Sequence, residues 1–205
     1  MSVENVSSLP GEVHTGQRSR PFYIVGIGAS AGGLESLESF FDHMPPDSGM
    51  AFVVVQHLSP DFKSLMDELL ARHTKMPIHR VDDGVSVEPN HVYLLPPKNN
   101  MTLKDGMLRL TPHAPKPGLN LPIDIFLSSL AEDAGEHAIG VILSGTGSDG
   151  SRGIRDIHSH GGFVVVQDSH SAAFDGMPRS AAATDLADVI CPPHLMPPKI
   201  AKFIS

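Results

Sequence analysis

A single cysteine, Cys191, leaves this chain of 205 residues without an internal disulfide, which fits a reducing compartment rather than a stapled secreted scaffold. Tryptophan is absent and aromatic residues make up only 5%. Basic residues are also scarce beside acidic ones, 15 against 23, for a formal net charge of −8. An acidic chain with few aromatics is poorly equipped to neutralise phosphates or stack on bases, so a nucleic-acid partner is disfavoured. Long apolar runs are missing too. The longest, residues 51–55 with Met50 before it, falls far short of the roughly 18–20 residues that span a bilayer. Residues 1–20 hold neither an apolar core nor a cleavage-site pattern, so no secretory signal is visible. Glycine and proline, 19 and 18 in number, stay below the roughly 25–30% of low-complexity chains. What remains is a hydrophobic fraction of 40%, enough for the packed core of one α/β domain. The one excess is histidine, 12 in all, which raises the question of a metal.

Residues 1–20 are polar and aperiodic and are expected to form a flexible tail, with order beginning at Pro21. Residues 22–27 then read as a short buried strand. A turn of small residues, 28–33, leads into a helical stripe of Leu34, Leu37, Phe40 and Phe41 that Pro45 and Pro46 end. The rhythm repeats: residues 51–55 are a second buried strand, and Leu65, Leu69 and Leu70 mark a helix. Shorter strands are expected at 78–81 and 91–95. Asp105-Gly106 between apolar segments predicts a hairpin, because that pair favours a tight primed turn. Residues 122–134 predict a helix with Asp124 near its start, where negative charge suits the dipole. Strands at 138–143 and 163–166 and helices at 151–160, 178–183 and beyond Pro198 complete the pattern. Strands that are apolar throughout and alternate with helices indicate a doubly wound, mainly parallel sheet with helices on both faces. The hairpin is a small antiparallel addition to it.

Doubly wound sheets bind ligands beyond the carboxyl ends of their strands, so the polar residues at those ends are the candidates. They are Ser30; Gln56 and His57; Ser144, Thr146, Ser148 and Asp149; and Gln167 and Asp168. A serine, a histidine and an aspartate at three strand ends are the ingredients of acyl transfer through a serine nucleophile. Gly28-Ala29-Ser30-Ala31-Gly32 matches the G-x-S-x-G turn that lifts a hydroxyl over a sheet edge, and the helix start behind it aims free N–H groups at a developing oxyanion. Each residue also has a plainer reading: Ser30 as a helix N-cap, His57 as a core histidine bonded to a carbonyl, Asp149 as the N-cap of the next helix. The order Ser30, His57, Asp149 departs from that of α/β-hydrolases, in which the acid precedes the histidine. Gly26-Ile27-Gly28 also admits a dinucleotide loop, but Gln56 and His57 stand where that fold needs an acidic residue for a ribose. A Walker loop lacks its Lys-Ser or Lys-Thr. No histidine has ligand partners at zinc spacing, so no metal and no cofactor are expected, and the other histidines read as surface residues.

Four segments in order carry a resemblance. Residues 25–33, residues 55–60 with Gln56-His57, and residues 143–150 with Ser144-Gly145-Thr146-Gly147-Ser148-Asp149-Gly150 resemble the signature segments of CheB-type chemotaxis methylesterases. Phe174-Asp175-Gly176-Met177-Pro178-Arg179-Ser180-Ala181 is similar to that family's F-G-M-P segment with Asp175 inserted. The resemblance runs from about Pro21 to the end and implies one catalytic domain over 21–205. It implies a protein-glutamate methylesterase acting on methylated chemoreceptors, with a further capacity to deamidate receptor glutamines. Carried over, Ser30 is the nucleophile, His57 the general base and Asp149 its orienting partner. The backbone N–H of Thr146, a methionine in many relatives, is expected to bind the oxyanion together with that of Ala31. Arg179 is read two ways, as a contact for the acidic surroundings of the substrate or as an ordinary surface ion pair. The usual member carries a receiver domain ahead of the catalytic one, so receiver control is not expected within this chain. The wording of residues 49–57 and 70–74 looks most like the first module of CheB–CheR fusions, which implies a methyltransferase module in a longer chain and a receptor-like signalling protein as substrate. The expected site of action is the cytoplasm, without membrane insertion. A non-catalytic nucleotide- or metabolite-binding domain, or a regulatory interaction module, is the alternative reading.

Overall fold

The computed structural model describes residues 22–57, 65–113 and 118–205; the expected tail over residues 1–20 lies outside them. Seven parallel strands form the main sheet. In chain order they include β1 (Ile24–Ala29), β2 (Ala51–Gln56), β3 (Ile78–Arg80) and, after the short β4 (Val85–Ser86), β5 (Val92–Leu94). The hairpin strands β6 (Asn99–Lys104) and β7 (Met107–Pro112) come next, then β8 (Ala138–Ile142), β9 (Phe163–Gln167) and β10 (Val189–Cys191). The sheet order is β10-β9-β8-β1-β2-β5-β3, every neighbouring pair parallel, and β4-β7-β6 make a separate antiparallel sheet. Asp105 and Gly106 join β6 to β7 with φ of 52° and 72°, as a type I′ turn requires.

Helices cover both faces, as the unbroken apolar strands demand. On one face α1 (Gly33–Asp42), α2 (Met66–Leu70) and α6 (Met196–Ile204) pack through Leu37, Phe40, Phe41, Leu70 and Ile200 onto Val25, Ile27, Phe52 and Val54. On the other, α3 (Pro122–Ala134), α4 (Ser151–Ser159) and α5 (Gly176–Ala182) bury Ile123, Phe126, Leu127, Ile154 and Met177 against Val53, Val55 and Ile142. The small sheet adds Met101, Leu103 and Leu108 to this second core. No described helix is long and apolar enough to cross a membrane.

Two elements differ from expectation for local reasons. Helix α6 starts at Met196, ahead of Pro198, because prolines are tolerated in a first turn, where the N–H groups they lack have no partner anyway. Strand β10 has no long apolar run and exists because β9 offers it a parallel edge at Val165–Gln167.

The strand order reverses at β1, whose neighbours are β2 on one side and β8 on the other. That switch point is where a crevice opens beyond the carboxyl ends. A Cβ placed on Gly28 would lie 2.5 Å from Ile123 Cγ2, and one on Gly26 would lie 2.7 Å from Leu127 Cδ2. The two glycines of β1 therefore let α3 rest directly on the strand. Their spacing reports helix–sheet contact, not a dinucleotide loop.

Candidate active site

Ser30 leaves β1 at the switch point. Its N–H donates to Ser144 O at 2.9 Å and its carbonyl accepts from Gly33 N–H at 2.9 Å, so the turn is tied both to the loop after β8 and to the start of α1. The N-cap of α1 is Gly32, in the left-handed region with φ 69°, and no side chain caps this helix. Ser30 is therefore not a cap, and its half-buried hydroxyl makes no hydrogen bond among the described residues. Gly145 crosses directly over it. A Cβ at Gly145 would collide with Met177 Sδ and stand 2.8 Å from Ser30 Cβ.

The loop over the serine is strapped by the segment that leads into α5. Gly145 N–H donates to Phe174 O at 2.9 Å, and Met177 N–H donates to Gly145 O at 2.8 Å. Ser144, fully buried, is the hub. Its hydroxyl donates to Ala31 O at 2.8 Å and accepts from Phe174 N–H at 3.0 Å, while its own N–H reaches Gln167 Oε1 at 2.8 Å. Turn, loop and strap thus share one side chain. The backbone N–H groups of Ala31 and Thr146 donate to nothing among the described residues, and Thr146 is exposed.

His57 follows β2 and stands beside β1, its N–H bonded to Ala29 O at 3.1 Å. Its ring is 37% exposed, and Nε2 lies 2.6 Å from Asp149 Oδ2. It is neither a core histidine nor one satisfied by a carbonyl. With Nε2–H given to the carboxylate, Nδ1 is the ring nitrogen left without a partner among the described residues.

Asp149 is 4% exposed and accepts three hydrogen bonds. Besides His57, Ile123 N–H donates to Oδ2 at 3.0 Å and Asp124 N–H to Oδ1 at 2.8 Å. These donors are the first turn of α3, whose partial positive charge compensates the buried carboxylate. Asp149 does not cap the helix that follows it; Gly150 is the N-cap of α4, and no side chain caps at that residue. The helix is instead served by Asp124, whose Oδ1 accepts from Gly150 N–H at 2.9 Å and Gly153 N–H at 2.7 Å. Each carboxylate therefore holds the other's helix. Burial, reinforced by the nearby Asp149 charge, pushes the Asp124 carboxyl above its ordinary range against the pull of the Gly153 and Gly150 N–H groups.

The remaining candidates sit apart. Arg179 is 72% exposed and pairs with Asp175 at 3.8 Å, one turn back on the strap, so the ion-pair reading has its partner. Asp168 accepts from the N–H groups of His170 and Ser171 in its own turn. Among the other histidines, His73 bonds Asp42 at 2.9 Å, and His79 bonds His91 at 3.0 Å. Among the described residues no group of three or more His, Cys, Asp or Glu could hold a metal ion. Sequence reasoning named Ser144, Gln167 and Asp124 without finding their tasks. Helix position alone showed the first-turn acid of α3 but not the second helix that it serves.

Known proteins share this fold. Residues 25–200 match the family model for CheB methylesterase. A crystal structure of the CheB methylesterase catalytic domain of Thermotoga maritima superposes with a TM-score of 0.80 at 29% identity, covering 89% of this chain and 98% of that one. The chain is 36% identical over 173 residues to protein-glutamate methylesterase/protein-glutamine glutaminase 2 of Xanthomonas oryzae, covering 82% of itself and 48% of that protein. It is 46% identical over 139 residues to an uncharacterized 104.1 kDa protein of Rhodobacter capsulatus, covering 68% of itself and 14% of that protein. It thus spans about half the length, or less, of these curated relatives. With a family model matched over residues 25–200 and relatives of this identity, the chain belongs to the CheB methylesterase family.

Proposed function

We propose that residues 21–205 form a catalytic domain that hydrolyses γ-methyl esters of glutamyl side chains on a methylated chemoreceptor or receptor-like signalling protein. The observation that carries this reading is the 2.6 Å pair of His57 and Asp149, set one strand from Ser30 at the switch point of the sheet. In this mechanism Ser30 Oγ attacks the ester carbonyl while His57 Nδ1, the nitrogen not bonded to Asp149, takes its proton. Contact of hydroxyl and imidazole belongs to the substrate complex, in which catalytic hydrogen bonds tighten. Asp149 holds Nε2–H and faces the imidazolium that forms. The oxyanion takes the free N–H groups of Ala31 and Thr146; because the backbone does this, threonine serves where relatives have methionine. The imidazolium then protonates the departing methoxide and methanol leaves. Water, deprotonated by the same nitrogen, attacks the glutamyl ester of Ser30, and collapse restores the Ser30 hydroxyl and leaves a glutamate carboxylate. A glutaminyl amide enters the same cycle and loses ammonia, which accounts for deamidation as a second activity.

Arg179 is proposed as a contact for acidic residues flanking the ester, since its exposed ion pair is cheap to exchange. A methyltransferase module in a longer chain is proposed on the wording of residues 49–57 and 70–74. The lone, buried thiol of Cys191 fits action in the reducing cytoplasm. Methanol release from methylated receptor, compared between the protein and Ser30→Ala, tests the reading. Release should be lost with the hydroxyl, and equal rates would sink the mechanism.

A further inference from the structure

The two buried aspartates at the switch point are an expensive way to begin two helices. Asp149 is 4% exposed and Asp124 7%. Each accepts N–H groups from the backbone beside the other: Asp149 from Ile123 and Asp124, and Asp124 from Gly150 and Gly153. A serine or asparagine would cap α4 without a second buried charge. The charge also acts against its neighbour, since Asp149 and burial both make the Asp124 carboxyl harder to ionise. A group kept at such a cost in a reaction centre invites a role in the chemistry.

Resting on the esterase reading above, we propose that Asp124 is a positioning and field-setting residue for His57. It acts through Asp149, holding the loop that carries this carboxylate and adding a second negative charge behind it. Two anions behind Nε2–H stabilise the imidazolium more than one does, so the cation that forms in the transition state is better held. The other groups around His57 cannot substitute for this charge. Lys98 and His113 line the small cavity beside the ring and oppose a positive imidazolium when charged. Arg152, which shares a cavity with Asp124, offsets part of its charge but does not line the cavity at His57. Comparing variants at position 124 alone keeps these contributions constant.

The experiment titrates His57 by NMR in the protein and in Asp124→Asn, and follows the pH profile of methyl-ester hydrolysis in parallel. Asparagine keeps the oxygen that caps α4 and removes only the charge. Lying beyond Asp149 and screened as in water, the lost charge should lower the His57 midpoint by roughly a few tenths of a pH unit. The acid limb of kcat/KM should move down with it, while the plateau of kcat falls several-fold and KM stays put. A midpoint that does not move means that Asp124 is only a helix cap and overturns the proposal, as does a lower plateau without a shifted limb. If Asp124→Asn does not fold, His57→Gln decides by reciprocity: with no imidazolium beyond Asp149, the Asp124 carboxyl should titrate higher than in the parent, and an unchanged value overturns the coupling. Both NMR titrations report without turnover. A parent protein that releases no methanol therefore refutes the esterase reading while leaving this coupling to be judged alone.

Discussion

Adding one methyl group at Gly28 tests how the fold makes the site. The strand residue faces α3, and its new Cβ would stand 2.5 Å from Ile123 Cγ2, 3.1 Å from Cδ1 and 3.3 Å from Cγ1. Ordinary contact needs about 1 Å more than the shortest of these. Ile123 is fully buried and β-branched, so its side chain has little freedom to turn away. The first turn of α3 must then lift instead. That turn is where Ile123 N–H holds Asp149 Oδ2, the oxygen that also bonds His57. Overpacking costs about 1–3 kcal/mol, and replacing a strand glycine by alanine returns about 0.5–1 kcal/mol of backbone entropy. Gly28→Ala should therefore be destabilised by about 1–2 kcal/mol, a fall of roughly 2–8 °C in Tm for a domain of this size. Activity should drop further than stability, by about ten- to a hundredfold in kcat, because a misplacement near 1 Å in a catalytic group has that effect. The assay pairs thermal unfolding with methyl-ester hydrolysis in Gly28→Ala, Ile123→Ala and the double variant. Removing the isoleucine should relieve the clash, so the double variant loses less than the sum of the singles. Strict additivity, or an unchanged kcat in Gly28→Ala, would refute the packing argument.

Other expectations follow from single contacts. Ser144→Ala removes the hydroxyl shared by Ala31 O and Phe174 N–H in a fully buried place, so it should cost about 1–3 kcal/mol in unfolding measurements and loosen the strap over Ser30 enough to lower kcat. Because the folded state raises the Asp124 carboxyl, that group favours folding most below its unfolded range and loses this contribution as pH rises through its folded value. Denaturation of Asp124→Asn against the parent should accordingly grow more favourable to the variant as pH rises above the ordinary carboxyl value of 3.8, and a flat difference would contradict the shift. Arg179→Ala, which breaks only an exposed pair, should change stability by less than about 0.5 kcal/mol and show itself in KM for receptor if at all.

Much of the molecule was legible before its coordinates. The parallel sheet was carried by continuous runs such as Phe52-Val53-Val54-Val55, and helix 122–134 by its apolar stripe, because burial on both faces leaves an unmistakable pattern. The hairpin turn was written in Asp105-Gly106. Polar residues at strand ends brought out Ser30, His57 and Asp149, and the structure sets them at neighbouring strand ends beside the switch point, with His57 and Asp149 in contact. What stayed hidden depends on tertiary contacts. Strand β10 exists only as an addition to β9, and the start of α6 absorbs two prolines that look like a break. The exchange of helix starts by Asp124 and Asp149 joins residues 25 apart in sequence, and no periodicity encodes it. Which nitrogen of His57 meets the carboxylate is likewise a matter of how the ring is held.

The central claim is that His57, oriented by Asp149, activates the Ser30 hydroxyl. Covalent labelling by a small fluorophosphonate, read by peptide mass spectrometry, addresses it most directly. The account predicts one adduct, on Ser30, that forms far more slowly in His57→Gln. An adduct elsewhere, or labelling of Ser30 at the same rate without the imidazole, would contradict it.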